Sequence, residues 1–437
     1  MERPDSSPRR HLDDLADFLS ASPSPYHAVS EASRRLSEAG FRPVNEADAW
    51  PSTPGSWYLQ RGGALVAWST AGAHRPSAGF RLIGAHTDSP NLRVRPRPDH
   101  HSAGMAQLGV EIYGGALLNS WLDRDLGLSG RISVGSKTGP TTTVLFRCDE
   151  PLLRVPQLAI HLDRSIMTEG LRLDPQRHLQ PVWSSAGQSA PEFRAWLSER
   201  IGVPVDELLS WDLMTHDLTA PAVLGVDESL FASARIDNLL SCHAGIIALL
   251  NSSPDSPFVP VLCLFDHEEV GSQSSSGAAG QLLPTVLERI ALAGDCNRDQ
   301  WFGALASSIC ISADGAHATH PNWPERHEPD HPVRIDGGPV LKWNADARYG
   351  TDSPGAAHLL SIARDIDIPM QTFVSRNDMP CGSTIGPVTA ARLGITTVDV
   401  GVAQLSMHSA RELTGVLDPA RFATLLESFF SDPRSAS

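Results

Sequence analysis

Residues of the types that bind metal ions occur in five groups, which lie far apart along the chain. They are two histidines and several carboxylates: His86 with Asp88, Asp237, the adjacent pair Glu268-Glu269, Asp314, and His408. Histidine nitrogens and carboxylate oxygens are ligands that zinc accepts, and two zinc ions can share one bridging carboxylate. The residue types therefore suit a pair of zinc ions, although spacing alone leaves the kind of metal site open.

Glu268 and Glu269 are the most informative of these residues. Two adjacent acids at the end of an apolar stretch repel each other unless they meet a cation or do different jobs. Because side chains alternate along an extended chain, one of them can face a metal while the other faces the reacting groups. A metal ligand beside a general base is what metal-assisted hydrolysis needs. An isolated Glu-Glu pair is usually solvated, so the inference depends on the apolar stretch before it.

Four of the five groups follow stretches with the composition of buried strands. These stretches are Phe80–Ala85, Val259–Phe265, Ile309–Ala313 and Thr396–Val402. In open α/β sheets, ligands bind in the crevice beyond the carboxyl ends of the strands. Groups that are distant in sequence are therefore expected to converge at one edge of a sheet.

Apolar residues at helical spacing flank these strands and complete an α/β pattern. The predicted helices are His11–Ser20, Tyr26–Ala39, a helix opened by Asp237, Leu282–Ala293, and a last helix that starts at Asp418-Pro419. Alternation around Arg61–Gly63 predicts a hairpin over Trp57–Trp68. Together with the buried strands, these elements predict an α/β fold.

The middle of the chain has a different pattern, with short strand candidates and frequent turn signals. Strands are predicted at Leu108–Tyr113, Leu128–Val134 and Thr141–Phe146, and a helix at Pro191–Ile201. The pair His100-His101 is expected in an exposed turn. We therefore predict a catalytic domain made of residues 1–94 and 233–437, with an inserted, mainly β domain at residues 95–232.

The composition argues against several classes of partner. The chain has 437 residues and a net charge of −15, so it repels phosphate backbones and no nucleic-acid partner is expected. The longest apolar run, near Phe258–Phe265, is far shorter than the roughly 20 residues that a membrane helix needs. The N-terminal residues lack an apolar signal segment. We therefore expect a cytoplasmic protein without a membrane partner.

The 6 cysteines are scattered without CxxC spacing, so a disulfide framework is not expected. Cys263 and Cys310 lie in apolar stretches and are expected to be buried, unreactive thiols.

Six blocks of sequence, in order, resemble the aspartyl aminopeptidase family of dinuclear zinc exopeptidases. The blocks are Ala85–Pro90, Ser233–Asn238, Phe265–Ser272, Ser312–Asn322, Arg376–Pro387 and Met407–Glu412. The resemblance covers nearly the whole chain and implies a mixed-sheet α/β/α zinc-exopeptidase domain with an inserted, mainly β dimerisation domain. It also implies that dimers assemble into a tetrahedral dodecamer.

The resemblance further implies a role for each matching residue. His86 and Asp314 would hold one zinc, Glu269 and His408 the other, and Asp237 would bridge the two. Glu268 would be the general base that acts on a zinc-activated bridging water, and Asp88 would help to orient His86. Cobalt or manganese are the possible substitutes for zinc.

Three further residues are implied to meet the substrate. Lys342, in the segment Gly337–Lys342, would bind the acidic side chain of the first residue, with Tyr349 beside it. His161 would reach the active site of a neighbouring subunit. The implied function is removal of the N-terminal residue, preferably Asp or Glu, from peptides.

Two alternatives stay open at this point. One is a related dinuclear metallohydrolase, such as a deacylase or a carboxypeptidase, on a similar α/β scaffold. The other is a non-catalytic shell or assembly protein that uses only the surfaces of the inserted domain.

Overall fold

Helices and strands alternate at both ends of the chain, whereas strands dominate its middle. The computed structural model describes residues 8–135 and 139–434. The α-helices of this part of the chain are α1 (Pro8–Ala21), α2 (Pro25–Glu38), α3 (Ile166–Glu169), α4 (Phe193–Ile201), α5 (Ile236–Asn251), α6 (Leu282–Ala293), α7 (Arg298–Ala306), α8 (Ser353–Asp365), α9 (Ile385–Leu393) and α10 (Asp418–Ser431).

The strands, in chain order, run from β1 to β20. They are β1 (Arg42–Pro43), β2 (Ser56–Arg61), β3 (Ala64–Ser69), β4 (Phe80–His86), β5 (Asn91–Ser102), β6 (Met105–Tyr113), β7 (Leu126–Val134), β8 (Thr142–Leu153), β9 (Val182–Ser184), β10 (Leu208–Asp217), β11 (Ala222–Leu224), β12 (Leu230–Ser233), β13 (Val259–Phe265), β14 (Ile309–Ala313), β15 (Ala316–His317), β16 (Val340–Trp343), β17 (Gln371–Val374), β18 (Thr396–Gly401), β19 (Ala403–Leu405) and β20 (Glu412–Gly415).

These elements divide into two compact units. The first unit comprises the described residues up to Asp88, Pro221–Met407 and those from Glu412 onwards. The second unit comprises Ser89–Ala220 and the short segment His408–Arg411. The main boundaries thus lie at residues 88 and 220, whereas the change in sequence pattern predicts them at 94 and 232. The catalytic and dimerisation roles of the two parts stay predictions.

A nine-stranded mixed sheet forms the centre of the first unit, with the order β1-β2-β3-β13-β4-β14-β18-β16-β17. Four neighbouring strands in its middle, β13, β4, β14 and β18, run parallel. Their carboxyl ends therefore meet at one edge of the sheet, where His86 ends β4, Phe265 ends β13 and Ala313 ends β14. The expected convergence of the strand ends is confirmed.

Helices cover both faces of this sheet, and successive residues of a strand pack to opposite faces. Along β4, Ile83 and Ala85 pack into a core with α1, α2, α5, α8 and α10, whereas Phe80 and Leu82 pack into a second core with α6, α7 and α9. A strand covered on both sides needs a continuous apolar run, because water reaches neither face. This α/β/α layering confirms the predicted fold class.

The two N-terminal helices form where their sequence predicts them. The buried stripe of α1 consists of apolar side chains at helical spacing: Leu12, Leu15, Phe18 and Leu19. Full burial of one such side chain stabilises the fold by about 1.5–3 kcal/mol. Helix α2 begins with Pro25, which has no N–H to lose, and the Ser24 side chain accepts the backbone N–H of His27.

The second unit is built on a six-stranded antiparallel sheet with the order β8-β7-β10-β5-β6-β9. Its core packs Leu92, Leu128 and Leu213 of the sheet with Phe193 and Leu197 of α4. The predicted strands and the predicted helix of this part of the chain are present. The unit is mainly β, as expected.

One prediction for the second unit is wrong. His100 and His101, expected in a turn, lie in β5, which continues to Ser102. Both side chains are exposed, as expected. The turn follows at Ala103 and Gly104, which both have positive φ. A polar run suits an exposed stretch of strand as well as a turn, so composition alone could not separate the two.

Some elements leave no periodic signal. A second sheet of the first unit, β11-β12-β20-β19-β15, consists of strands of two to four residues. Such strands are too short for alternation to be recognised.

Within residues 8–135 and 139–434, no helix is long and apolar enough to cross a membrane. All six cysteines are free thiols, and Cys263 and Cys310 are buried as expected.

Candidate metal centre

His86 ends β4 at the carboxyl edge of the first unit's large sheet, and its side chain is 2% exposed. Its Nδ1 lies 2.9 Å from the main-chain oxygen of Asp88. Because a carbonyl can only accept, this bond places the proton on Nδ1 and leaves the lone pair of Nε2 for a metal. Nε2 lies 3.4 Å from Asp237 Oδ1 and 3.6 Å from Asp314 Oδ1.

The two aspartates reach this nitrogen from different elements. Asp314 directly follows β14, and Asp237 lies at the start of α5, where the backbone is not helical and the peptide bond to Asn238 is cis. The backbone N–H of Asp237 donates to Glu412 Oε2 at 2.8 Å. Asn238 Nδ2 donates to the carbonyl of Ala313, also at 2.8 Å. These bonds fix the start of α5 beside the end of β14.

Glu268 and Glu269 lie in a single 3₁₀ turn, Glu268–Val270, just beyond β13. Their backbone N–H groups donate to the two carboxylate oxygens of Asp88, Glu268 to Oδ1 and Glu269 to Oδ2, each at 3.1 Å. Asp88 has no exposed surface, so this paired bond holds the turn from the protein interior. The turn brings one carboxylate oxygen of each glutamate within 4.8 Å of the other and of a nitrogen of His86.

Asp88 therefore contacts His86 chiefly through its backbone. Its Oδ1 is 3.5 Å from His86 Nδ1, farther than its main-chain oxygen. That the Asp88 side chain orients His86 stays a prediction, whereas its carboxylate holds the glutamate turn.

Two triplets of potential ligands come together around His86. One is His86, Asp237 and Asp314, and the other is His86, Glu268 and Glu269. In each triplet, one ligand atom of each residue lies within 4.8 Å of the others. An imidazole nitrogen with several carboxylate oxygens is a donor set that zinc accepts.

The charges of this cluster favour a bound cation. Burial alone would lower the pKa of His86, but Asp237, Asp314 and Asp88 raise it well above its usual value. Burial is also the main cause that raises the pKa of Glu268 to about 7, and the carboxylates of Asp314, Asp88 and Asp237 add to the rise against the charge of His86. Both shifts arise because carboxylates are crowded where little water reaches them. A cation would relieve this crowding, so the residues fit a metal centre.

Comparison with known proteins identifies the family. The family described as "Aminopeptidase I zinc metalloprotease (M18)" matches residues 18–430. This chain belongs to the M18 aminopeptidase family. The "Probable M18 family aminopeptidase 2" of Streptomyces coelicolor is 55% identical, over 98% of this chain and 99% of its own length. The protein of the same name from Mycobacterium leprae is 51% identical, over 96% and 98% of the two chains.

Solved structures agree with this membership. The chain resembles the Ape4 structure, solved as "the Ape4 and Nbr1 complex", with a TM-score of 0.93 and 35% identity, over 97% of this chain and 86% of that one. The S. cerevisiae mApe1 dodecamer gives a TM-score of 0.82 and 28% identity, over 96% and 95% of the chains. An M18 aminopeptidase of Thermotoga maritima, 22% identical over 99% of both chains with a TM-score of 0.87, shares the fold.

The predicted resemblance to the aspartyl aminopeptidases, which are the M18 family, is therefore confirmed. Relatives named as aminopeptidases at about half identity over nearly the full length support a metallo-aminopeptidase. This decides against the deacylase, carboxypeptidase and non-catalytic alternatives.

Lys342 and Tyr349 come together beside Asp314 in this M18 aminopeptidase. Lys342, on β16, is 2% exposed, and its Nζ lies 3.5 Å from Asp314 Oδ2 and 3.1 Å from the main-chain oxygen of Gly315. The ring centroid of Tyr349 lies 5.0 Å from the same nitrogen, which is a cation–π distance. Of the two predicted substrate residues, Lys342 thus contacts a candidate ligand and Tyr349 lies beside Lys342.

His408 lies in the segment that groups with the second unit. Its Nδ1 is 3.1 Å from the main-chain oxygen of Gly115, and its own carbonyl accepts the N–H of Leu117 at 3.0 Å. As for His86, a carbonyl partner places the proton on Nδ1 and leaves Nε2 as the ligand atom. Its place among the zinc ligands stays a prediction.

His161 lies in an exposed turn of the second unit. Its predicted approach to a neighbouring subunit stays a prediction.

Sequence analysis overlooks two buried residues of the first unit. Cys242 Sγ donates to the main-chain oxygen of His86 at 3.0 Å, and burial raises the pKa of this thiol to about 12, so it supports His86 as a neutral donor. Asp399 lies on β18 with no exposed surface. Its signal is an acid inside the apolar stretch Thr396–Val402, which requires partners in the folded protein.

Proposed function

We propose that this M18 aminopeptidase removes single N-terminal Asp or Glu residues from peptides, with two zinc ions and Glu268 as the general base. The observation that carries the proposal is the buried ammonium of Lys342 beside the candidate ligand Asp314. A cation at this place can pair with the side-chain carboxylate of an acidic first residue. It would do so against the field of a chain with a net charge of −15.

The choice of lysine supports this role. Lys137 and Lys342 are the two lysines among 35 basic side chains, and the others are arginines. An ammonium is compact and directs three donors, whereas a guanidinium is a wide planar fork. The position of Nζ between Asp314, Gly315 and the ring of Tyr349 suits the compact group.

In this proposal the ligands divide as the family resemblance implies. His86 and Asp314 would hold one zinc, Glu269 and His408 would hold the other, and Asp237 would contribute to both. Bound zinc would supply a lowered pKa for water and a polarised scissile carbonyl. Cobalt and manganese are the alternative metals.

Glu268 moves the proton. Its Oε2 is 4.0 Å from Nε2 of His86, so it borders the centre without being the nearest carboxylate to that nitrogen. As the general base, the Glu268 carboxylate would take a proton from the attacking water and return it to the leaving amine. Asp88 fixes the backbone of Glu268 during both steps.

The proposal extends to assembly. S. cerevisiae mApe1 forms a dodecamer, and this chain shares its fold. Large apolar side chains near His161 are exposed, among them Ile160 at 46%, Leu162 at 75% and Met167 at 80%. Such a patch is typical of a protein contact, and we propose homo-oligomers in which His161 reaches a neighbouring active site. A Leu162→Asp variant should then elute as a smaller species in light-scattering chromatography, and an unchanged mass would remove this patch from the assembly.

The test of substrate choice is a kinetic panel with Asp-, Glu-, Ala- and Leu-anilides. The variants are Lys342→Ala, Lys342→Arg and, as a matched control, Arg298→Ala, whose side chain is 68% exposed. Loss of a charge-assisted contact should lower kcat/KM for the Asp substrate by about 10–100-fold in Lys342→Ala, with little change for Leu. Lys342→Arg should lack the preference for acidic first residues, as Lys342→Ala does. An unchanged ratio of kcat/KM for the Asp and Leu substrates in Lys342→Ala would show that Lys342 does not determine the specificity.

A further inference from the structure

Asp399 is a buried residue of the first unit on the strand next to the one that carries Lys342. It lies on β18 between Val398 and Val400, which both pack into the core with α5 and α10. Because side chains alternate along a strand, Asp399 points to the opposite face of the sheet. A fully buried carboxylate is costly unless protein groups replace its water.

The Asp399 carboxylate ties together two segments that are distant in sequence. Its Oδ1 accepts the hydroxyl of Thr384 at 2.5 Å, and its Oδ2 accepts the backbone N–H of Gly350 at 2.6 Å. Gly350 directly follows Tyr349, and Thr384 ends the loop before α9. One side chain therefore fixes both the backbone next to Tyr349 and the start of α9.

The first turn of α9 is built closely against this carboxylate. Thr384 caps the helix, since its Oγ1 accepts the backbone N–H of Gly386 at 3.1 Å. A Cβ at residue 386 would lie 2.2 Å from Asp399 Oδ2, so glycine is required there. Hydrogen bonds thus link the helix start, the Thr384 hydroxyl and the Asp399 carboxylate.

Asp399 is also the cross-strand neighbour of Lys342. Strands β16 and β18 are antiparallel with Leu341 opposite Val400, and the same register sets Lys342 opposite Asp399. Residues directly opposite each other have their side chains on one face. Burial raises the pKa of Asp399, and the charge of Lys342 opposes this rise. The charge of Lys342 therefore acts on Asp399 in addition to its contact with Asp314.

We propose that Asp399 is a positioning residue for the recognition of acidic first residues. It holds the backbone beside Tyr349, whose ring centroid lies 5.0 Å from the Lys342 ammonium, and it holds the start of α9. Without the Asp399 charge, its bonds to the Gly350 N–H and the Thr384 hydroxyl weaken, and the ring of Tyr349 is no longer fixed beside the ammonium. The inference rests on the proposed role of Lys342.

The experiment compares the kinetics of Asp- and Leu-anilides for wild type and Asp399→Asn. Asparagine keeps the size of the side chain and removes its charge. We expect KM for the Asp substrate to rise about tenfold, the effect of weakening contacts to a charged group, while kcat changes little. The Leu substrate does not use Lys342, so its kcat/KM should stay near the wild-type value.

Asp432→Asn is the matched control. Asp432 is also a buried aspartate, 6% exposed, that accepts from Arg434 at 2.7 Å. It interacts with Arg81 near the start of β4, whereas His86 ends that strand. This variant tests the loss of a buried charge away from Lys342, and its Asp-to-Leu ratio should equal that of wild type.

A pair of variants at Thr384 provides a second test. It tests the positioning role of Asp399 even if Asp399→Asn does not fold. Thr384→Val keeps the shape but removes the hydroxyl that binds Asp399, so the Asp-to-Leu ratio should fall. Thr384→Ser keeps the hydroxyl and should keep the ratio. Zinc content and thermal unfolding show that each compared variant is folded and loaded.

The outcomes separate the two proposals. A wild type without acidic preference would overturn the proposed substrate choice and this inference together. A wild type that prefers Asp, with the same ratio in Asp399→Asn or in Thr384→Val, would overturn this inference alone. An equal loss of kcat/KM for the Asp and Leu substrates would also overturn this inference, because a purely structural residue would have that effect.

Discussion

The Asp88 carboxylate accepts the backbone N–H of Glu268 at 3.1 Å, and its second oxygen accepts the next N–H along the chain at the same distance. Asp88 is fully buried and lies two residues after His86. The same residue that bonds the His86 imidazole through its carbonyl thus holds the turn that carries the general base. Candidate ligand and base are positioned by one residue.

This relationship predicts the effect of Asp88→Asn. An asparagine side chain has one oxygen that accepts and one NH₂ group that donates. Its NH₂ group would face one of the two backbone N–H groups, and two donors cannot bond to each other. We expect kcat to fall by about 10–100-fold, because a small displacement of a base costs this much in rate. Metal analysis and steady-state kinetics check it, with the exposed Asp299→Asn as the control. Wild-type kcat in Asp88→Asn would show that the turn holds without this carboxylate.

The metal content of the purified protein tests the dinuclear centre. Elemental analysis should give two zinc ions per chain in wild type and fewer in His86→Ala, since His86 belongs to both ligand triplets. Removal of zinc with a chelator should abolish activity, and zinc added back should restore it. A fully active protein with one zinc per chain would contradict the proposed pair.

Two histidines with lowered pKa values, the half-buried His11 and the buried His243, predict how stability depends on pH. His11 and His243 pack with their ring centroids 4.9 Å apart, and burial is the main cause that lowers the pKa of His11 to about 3 and that of His243 below its usual value. Asp14, 2.7 Å from His243 Nε2, opposes both shifts, whereas the charge of Arg35 lowers the pKa of His243 further.

Proton uptake by the unfolded chain sets the direction in which stability changes with pH. In the unfolded chain both histidines have a pKa of about 6.5, so it binds protons that the folded chain does not. The contribution of these two histidines to stability should therefore fall as the pH drops below about 6.5. Urea unfolding of the zinc-free protein between pH 7.5 and 4.5 measures the slope, which His11→Leu should reduce and the exposed His101→Leu should not. An equal slope in wild type and His11→Leu would contradict this account.

The sequence predicts the strand ends of the centre well and the contacts between them poorly. Apolar runs before His86, Glu268 and Asp314 indicate buried strands, and parallel buried strands bring their ends to one edge. The bond from Asp88 to the glutamate turn spans 180 residues, and no local pattern specifies it. The neighbourhood of Lys342 and Asp399 likewise depends on the pairing of β16 with β18, two strands that are not neighbours in sequence.

At His100 and His101, by contrast, a local sequence pattern exists but predicts the wrong structure. Polar composition indicates a turn, but β6 supplies strand partners that extend β5 through both residues. Pairing with a neighbouring strand overrides local preference there.

The central claim, metal-assisted hydrolysis with Glu268 as the base, is tested most directly by Glu268→Gln. Glutamine keeps the size of the side chain but cannot take a proton from water. General bases contribute about 10²–10⁴-fold to rate, so turnover of an Asp-anilide should fall by at least that range while two zinc ions per chain are retained. A zinc-loaded Glu268→Gln enzyme that kept a tenth of the wild-type rate would contradict the account.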